Sequence, residues 1–196
     1  VADLLAASAN ASTAEITDMA QSRQQSSAVA KMAGVSIEDT VTALARLANA
    51  GIKGSDAGTS LKTMLMRLQA PIGSGAKAIR EYNIQLRDQS GNLKSLPALA
   101  SEFGSKLGGL KKAQRDHAMA AIFGSDAIRA GNILLMQGAE AHENMREKVV
   151  RQGAAAEFAA ARMKGFKGSL EAFKSSIETL AISLGQMLLP MATRVM

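Results

Sequence analysis

The 196-residue chain has no cysteine and no tryptophan, and only one Tyr, five Phe, two His and three Pro. The missing thiols exclude disulfides, thiolate metal sites and a cysteine nucleophile, and are compatible with assembly in a reducing cytoplasm. Aromatics at 3% leave few bulky side chains for a deep sheet-based core and few rings on which bases could stack. Long apolar runs are lacking too. The strongest, Leu180 to Met196, follows Glu178, is interrupted by Gln186 and ends beside Arg194, short of the roughly twenty apolar residues that span a bilayer.

What is present points to helices. Hydrophobic residues make up 47%, much of it Ala, with 17 Gly and 11 Met. This composition suits closely approaching helices punctuated by glycine, with flexible thioethers filling irregular gaps. The length allows one or two domains with a real core. Val1 opens in mid-helix pattern with Leu4, Leu5 and Ala6, without an initiator Met, a basic n-region or a cleavage site. The chain therefore reads as a piece of something longer.

The net charge of +6 is uneven, because residues 53–112 hold ten Lys or Arg against four acids. Such a block suits nucleic acid or an acidic wall, or a solvated helix face. The solvated face is favoured, since only Tyr82 and Phe103 offer rings there.

Along the chain, Ser12-Thr13-Ala14-Glu15 reads as a capping box opening a helix toward Met32. Ser36 with Asp39 opens a second, in which Val41, Leu44, Leu47 and Ala48 return at helical spacing, and Gly51 closes it in the left-handed conformation. Ser55 suits the next N-cap, Leu61, Leu65 and Leu68 share a face, and Pro71 stops that helix. A short helix runs from Ser74 through Glu81. Ile84 to Leu86 and Leu93 to Ser95 read as a small hairpin. Helices follow from Pro97 to Leu107, from Lys111 to Ile122 and from Ser125 to Gln137, the last two divided at Phe123-Gly124. The predicted fold is mainly α, a multi-helix array with a hairpin near 84–95.

From residue 153 the pattern changes. Ala156, Ala159, Met163, Phe166, Leu170, Phe173, Ile177, Leu180, Leu184 and Met187 alternate spacings of three and four. That is a heptad seam, the signature of a long helix with a partner helix. Its candidate association face is Met163, Phe166, Leu170, Phe173, Ile177, Leu180, Leu184 and Met187. Packing against the earlier helices and self-association both satisfy it. Two domains are expected, a helical core over 1–152 and a long amphipathic helix over 153–196 that begins an extended segment.

No constellation for catalysis emerges. Gly51-Ile52-Lys53-Gly54 with Gly58-Thr59-Ser60 lacks the spacing of a phosphate loop, in which Gly-Lys-Ser/Thr follows the first Gly by four residues after a strand. The same residues fit neither a KH domain, which needs strands, nor a helix-turn-helix reader, since Lys62 and Arg67 are the only long basic side chains on the second helix. His117 and His142 lie in different helices, and Asp116 beside His117 points elsewhere on its helix. No catalytic residue, metal site or cofactor is expected.

The stretch from Gly34 to Pro71 resembles a known family. Leu47-Ala48-Asn49-Ala50-Gly51-Ile52-Lys53-Gly54-Ser55, then Ala57-Gly58-Thr59 and Arg67-Leu68 through Pro71, is similar to the core region of the tail tape-measure proteins of tailed bacteriophages. Three further segments agree in order and spacing. These are Ile84 to Leu93 (with Asn83 where Gly is common), Ala120 to Ala127 with Ile122-Phe123-Gly124, and Lys164 to Pro190. The resemblance marks Gly51, Gly54, Gly58, Pro71, Phe123 and Gly124 as structural helix-junction residues.

It implies a non-enzymatic structural protein of a phage tail. The parent chain would sit in the tail-tube lumen, set tail length during assembly in the host cytoplasm, and leave ahead of DNA at ejection. Implied partners are the tail-tube protein, tail assembly chaperones, baseplate or tail-tip proteins and other copies of the chain, with host inner membrane contact and weaker DNA contact. Two readings from other classes stay open: a membrane-active translocation segment centred on Leu180 to Met196, and a basic helical nucleic-acid-binding module using Lys53, Lys62 and Arg67.

Overall fold

The computed structural model describes the backbone of residues 1–151 and 153–192, and the side chains of those residues except 158, 172 and 177–192. Within them the chain is mainly helical, and it divides into two compact units, Val1–Ala155 and Ala156–Met196. The first unit contains α1 (Ala2–Asn10), α2 (Ile16–Met32), α3 (Ile37–Asn49), α4 (Gly54–Gln69), α5 (Gly73–Glu81), α6 (Leu96–Leu107), α7 (Lys112–Leu135) and α8 (Ala139–Val149), and α9 (Ala154–Ala192) follows.

The centre of the first unit is α3. Every residue from Thr40 to Ala48 is buried, because α1, α2, α4, α7 and α8 all pack around it. Ser36 starts this helix as expected, accepting a hydrogen bond from the Asp39 N–H at 3.0 Å. Gly51 ends it at φ +88°, where the Ile52 N–H reaches the Leu47 carbonyl and the Gly51 N–H the Ala48 carbonyl, both at 2.9 Å. That pair of bonds is a Schellman closure, and it buries Ile52 against the core.

The same closure ends α5 without a glycine. The Ile84 N–H bonds to the Ile79 carbonyl at 2.9 Å and the Asn83 N–H to the Arg80 carbonyl at 3.1 Å, with Asn83 at φ +50°. Asparagine tolerates this conformation better than other residues bearing a β-carbon, which explains the departure from glycine at this position.

The extensive contact between α2 and α4 depends on small residues. A β-carbon on Gly58 would overlap the Ser22 carbonyl oxygen and lie 2.7 Å from Gln25 Cβ, while one on Gly54 would lie 3.1 Å from Gln21 Oε1. Four residues along α4 correspond to four along α2 in the same sense, so the two helices run parallel. On α2 the contacting face carries Ser22, Ser26 and Ala30, all buried. The hydroxyls satisfy themselves within their own helix, Ser22 on the Met19 carbonyl at 3.0 Å and Ser26 on the Ser22 carbonyl at 2.9 Å. Polar residues therefore pack there without orphaned donors.

Three expectations change. The helix predicted from Ser12 starts at Ile16, where Glu15 and Asp18 form the capping box. Thr13 instead ties to the end of α3, its N–H on Asn49 Oδ1 at 2.9 Å and its hydroxyl on the Ala48 carbonyl at 2.7 Å. Ser55 does not cap α4, whose N-cap is Lys53. The hairpin expected near 84–95 is a single antiparallel bridge between Arg87 and Leu93, with no strand among the described residues. The chain on either side of that bridge is committed to helix ends: Ile84 to the closure of α5, the Gln85 N–H to Glu102 at 3.0 Å, and Ser95 to the N-cap of α6.

Two substitutions test these contacts. Gly58→Ala should cost about 2 kcal/mol by overpacking, read as a lower urea midpoint at unchanged slope; an unaltered midpoint would show that α2 and α4 tolerate a wider spacing. Asn83→Gly should raise stability by about 0.5 kcal/mol, by relieving the left-handed penalty, and a decrease in melting temperature would refute that account.

Candidate functional site

The helix-junction residues singled out by sequence fall into two packing centres and not into one pocket. The first is the α3–α4 turn, where Gly51 reverses the chain and Gly54 and Gly58 admit α2. Its far end is Pro71, which follows Ala70 in a non-helical conformation (φ −135°, ψ 76°) and separates α4 from α5, since a proline ring disfavours the helical region for its predecessor.

The second centre is the bend in α7. Gly124 interrupts the helix at φ 67°, ψ −175°, dividing it where Phe123-Gly124 was expected to. Phe123 is fully buried beside Phe103, with ring centroids 5.7 Å apart and a 33° tilt. Its ring fills a notch left by Gly131, where a β-carbon would lie 2.7 Å from Phe123 Cδ2. The bend frees carbonyls of the first half of α7, and the start of α5 meets them: Ser74 Oγ donates to the Ala121 carbonyl at 3.3 Å. Gly75 permits that approach, since a β-carbon there would lie 3.1 Å from the same oxygen.

Sequence reasoning missed three features. Arg46 is 5% exposed and caps the far end of α7, donating to the Ile133 carbonyl at 2.7 Å, the Leu134 carbonyl at 3.2 Å and Gln137 Oε1 at 3.2 Å. Burial lowers its proton affinity, and the helix C-terminus supplies compensating negative potential. A lone Arg at position 46 carried no signal for this, because its partners lie some ninety residues away. The small-residue face of α2 was legible in the four-residue spacing of Ser22, Ser26 and Ala30.

The third is the contact between α3 and α8. His142 is fully buried, its Nε2 3.3 Å from Asp39 Oδ1, and Arg146 Nε approaches the same oxygen at 3.4 Å. The His142 hydrogen bond lowers the Asp39 pKa below its ordinary value; burial opposes this, and the Ser36 hydroxyl and the His142 and Arg146 charges reinforce it. The hydroxyl that meets Asp39 belongs to Ser36, which is engaged as the N-cap of α3. No group of three or more His, Cys, Asp or Glu side chains suited to a metal occurs among the described residues.

Part of the basic block is spent on internal bonds. Lys53 donates to the Thr13 carbonyl at 2.5 Å, Arg87 to the Gly91 and Gln69 carbonyls at 2.7 and 2.9 Å, and Lys94 to Glu102 at 2.8 Å. These contacts weigh toward a structural role for the block. A groove of about 640 Å³ borders the α2–α3 turn, Gln69 and residues 87–96, and its lining carries no catalytic grouping. Among the described residues α7 alone is long and apolar enough to cross a membrane, with half of its apolar window buried in the protein.

In α9 the described part of the predicted association face is open. Met163, Phe166, Leu170 and Phe173 are 68%, 66%, 55% and 63% exposed. Ile177, Leu180, Leu184 and Met187 lie outside the described side chains, as does the whole of the Leu180 to Met196 segment.

Comparison with known proteins decides the family. The profile of the phage-related minor tail proteins matches residues 1–124. The chain belongs to this family. It is 30% identical over all 196 residues to the tape measure protein of Pneumococcus phage Dp-1, of which it spans 17%. It is 29% identical over 188 residues to the probable tape measure protein of Escherichia phage P2, of which it spans 23%. The chain thus spans about a fifth of the length of these curated relatives, and no solved structure matches it. Two segments that carried the resemblance read in the sequence, Gly34 to Pro71 and Ile122-Phe123-Gly124, supply the residues of the two packing centres, and both fall within the matched residues 1–124.

The coupling of Asp39 to α8 has a pH signature. Its folded pKa is depressed, so its contribution to stability is complete above the unfolded carboxylate pKa, about 4, and is lost as pH falls through the lower folded value. Asp39→Asn should weaken the protein at pH 7 and flatten its stability profile below about pH 4, as followed by urea denaturation at stepped pH. A variant profile parallel to the parent's across that window would remove Asp39 as the source.

Proposed function

We propose that this chain is part of a tape measure: a structural segment of a longer protein that occupies the tail-tube lumen, sets tail length during assembly in the host cytoplasm and leaves ahead of DNA at ejection. The observation that carries this is the likeness to two tape measure proteins across essentially the whole chain, far more than a shared short motif. The tail-tube protein, tail assembly chaperones and baseplate or tail-tip proteins are the partners this role requires. Residues 1–152 act as the helical core region, and 153–196 start an extended segment whose apolar stripe is an association face. The chain makes and breaks no bond in any substrate.

The membrane-active reading, centred on Leu180 to Met196, lies outside the described side chains. The membrane-length helix among the described residues, α7, is bent at Gly124 and packed against α4, α5 and α6, as the core helix of a globular unit would be, and adds nothing to that reading.

A length series tests the proposal. In the parent gene, in-frame removal of whole heptads from the α9 segment should shorten tails by about 1.5 Å per residue, the rise of a helix, when lengths are measured on electron micrographs. Tails of constant length across the series would eliminate the ruler role for this segment.

A further inference from the structure

We propose that the groove beside residues 91–96 receives an extended segment of another protein, which adds to the Arg87–Leu93 bridge as a further strand and carries an acidic side chain to Lys31. The bridge is held by two hydrogen bonds, the Asp88 N–H on the Asn92 carbonyl and the Lys94 N–H on the Leu86 carbonyl, both at 2.9 Å. Bonds that flank a pair in this way leave the paired residues' own N–H and C=O pointing out of the ribbon. Leu93 therefore presents both groups on its outer edge, and Ser95, two residues on, presents its N–H. Among the described residues none of these three groups has a hydrogen-bond partner in the chain. Leu93 and Ser95 line the groove of about 640 Å³, which residues 31–35 of the α2–α3 turn line as well. The edge is also preformed. Asp88 Oδ1 accepts from the Ser90 and Asn92 N–H groups at 2.9 Å, and Arg87 holds the Gly91 and Gln69 carbonyls, so docking a strand there costs little ordering of this chain.

Main-chain bonds at a sheet edge supply affinity, and the side chains around it set the preference. Lys94 is paired with Glu102 at 2.8 Å and Asp39 with Arg146 at 3.4 Å, while the Asp88 carboxylate is turned into its own loop. Among the described residues Lys31 and Arg87 meet no carboxylate. The groove thus keeps a positive surplus, beside a Met32 side chain that is 80% exposed. A segment that alternates apolar and acidic side chains answers both features. A second copy joined edge to edge would bring further cations, not acids, to this point, and so short an edge is one that sheets use to blunt self-pairing.

Short fluorescent peptides test this, with valine at alternate positions and either threonine and glutamate or threonine and lysine between, titrated by anisotropy against the full 196-residue chain. The Glu peptide should bind about fivefold tighter than the Lys peptide, with the advantage shrinking as salt rises. Of two N-methylated versions of the Glu peptide, one for each alternate set of amides, one should lose about tenfold in affinity. Hydrogen exchange followed by NMR should slow at the Leu93 and Ser95 amides when the Glu peptide is bound. Lys31→Glu should reverse the order of the two peptides, a gain that misfolding cannot imitate. Equal binding of the two peptides, full affinity in both methylated versions, or unchanged exchange at Leu93 and Ser95 would each overturn the proposal. So would a dimer, seen by light scattering of the chain alone, that already protects these two amides, or tighter binding of single-stranded DNA than of the Glu peptide. Absence of binding by either peptide would overturn it as well, and would leave the tape-measure reading to be decided on tail length.

Discussion

The contact on which the first unit depends is the approach of Gly58 to the Ser22 carbonyl. It lets two parallel helices touch backbone to backbone, where many small dispersion contacts add up. Parallel neighbours align their dipoles unfavourably, and the termini offset this: Asp18 and Asp56 lie in the first turns of α2 and α4, Lys31 and Arg67 in their last turns. With α2 and α4 fixed this way, α3 returns between them and is buried along nine consecutive residues, Thr40 to Ala48. The remaining helices then pack onto a face already set.

The bend at Gly124 creates a second demand. Splitting α7 gives it two C-terminal ends, each with carbonyls that need donors. Ser74 serves the first and Arg46 the second. Arg46 is a buried cation, and its three acceptors in α7 and just beyond are what make its burial tolerable; removing such a group leaves carbonyls facing an apolar interior, a cost of roughly 1–3 kcal/mol for each group left unsatisfied. The glycine that bends α7 and the arginine that ends it thus belong to one requirement, although 78 residues separate them.

Legibility in the sequence followed the range of the interaction. Local signals read correctly: Ser36 as a cap, Gly51 as a closure, Pro71 as a stop and Gly124 as a break all act on neighbours within a turn. The errors arose where distant partners overrode local preference. Thr13 looked like part of a capping box, and the end of α3 claimed it instead. Residues 84–95 alternate like a hairpin, yet Ile84, Gln85 and Ser95 are drawn to helix ends before strands form. His142 read as an isolated histidine because Asp39, its partner, lies 103 residues earlier. In α9 the sequence carries a heptad pattern, and the described stripe residues Met163, Phe166, Leu170 and Phe173 are exposed.

The two units differ in what they offer a ruler. A compact unit of 155 residues spans about 40 Å, from the scaling of radius of gyration with length. The 39-residue α9 covers about 58 Å at the helical rise. Per residue the extended part advances roughly six times further, so tail length recorded in protein length would be recorded in helices like α9, with the packed unit serving as a fixed body. That division also explains the surface chemistry. The first unit buries most of its large apolar side chains, leaving Met32, Met66, Ile72 and Val150 exposed, whereas the described part of α9 leaves Met163, Phe166, Leu170 and Phe173 open. An extended helix with two exposed glycines has little to hold it straight by itself. On the tape-measure reading proposed above, a neighbouring helix along the stripe would be what keeps such a helix extended.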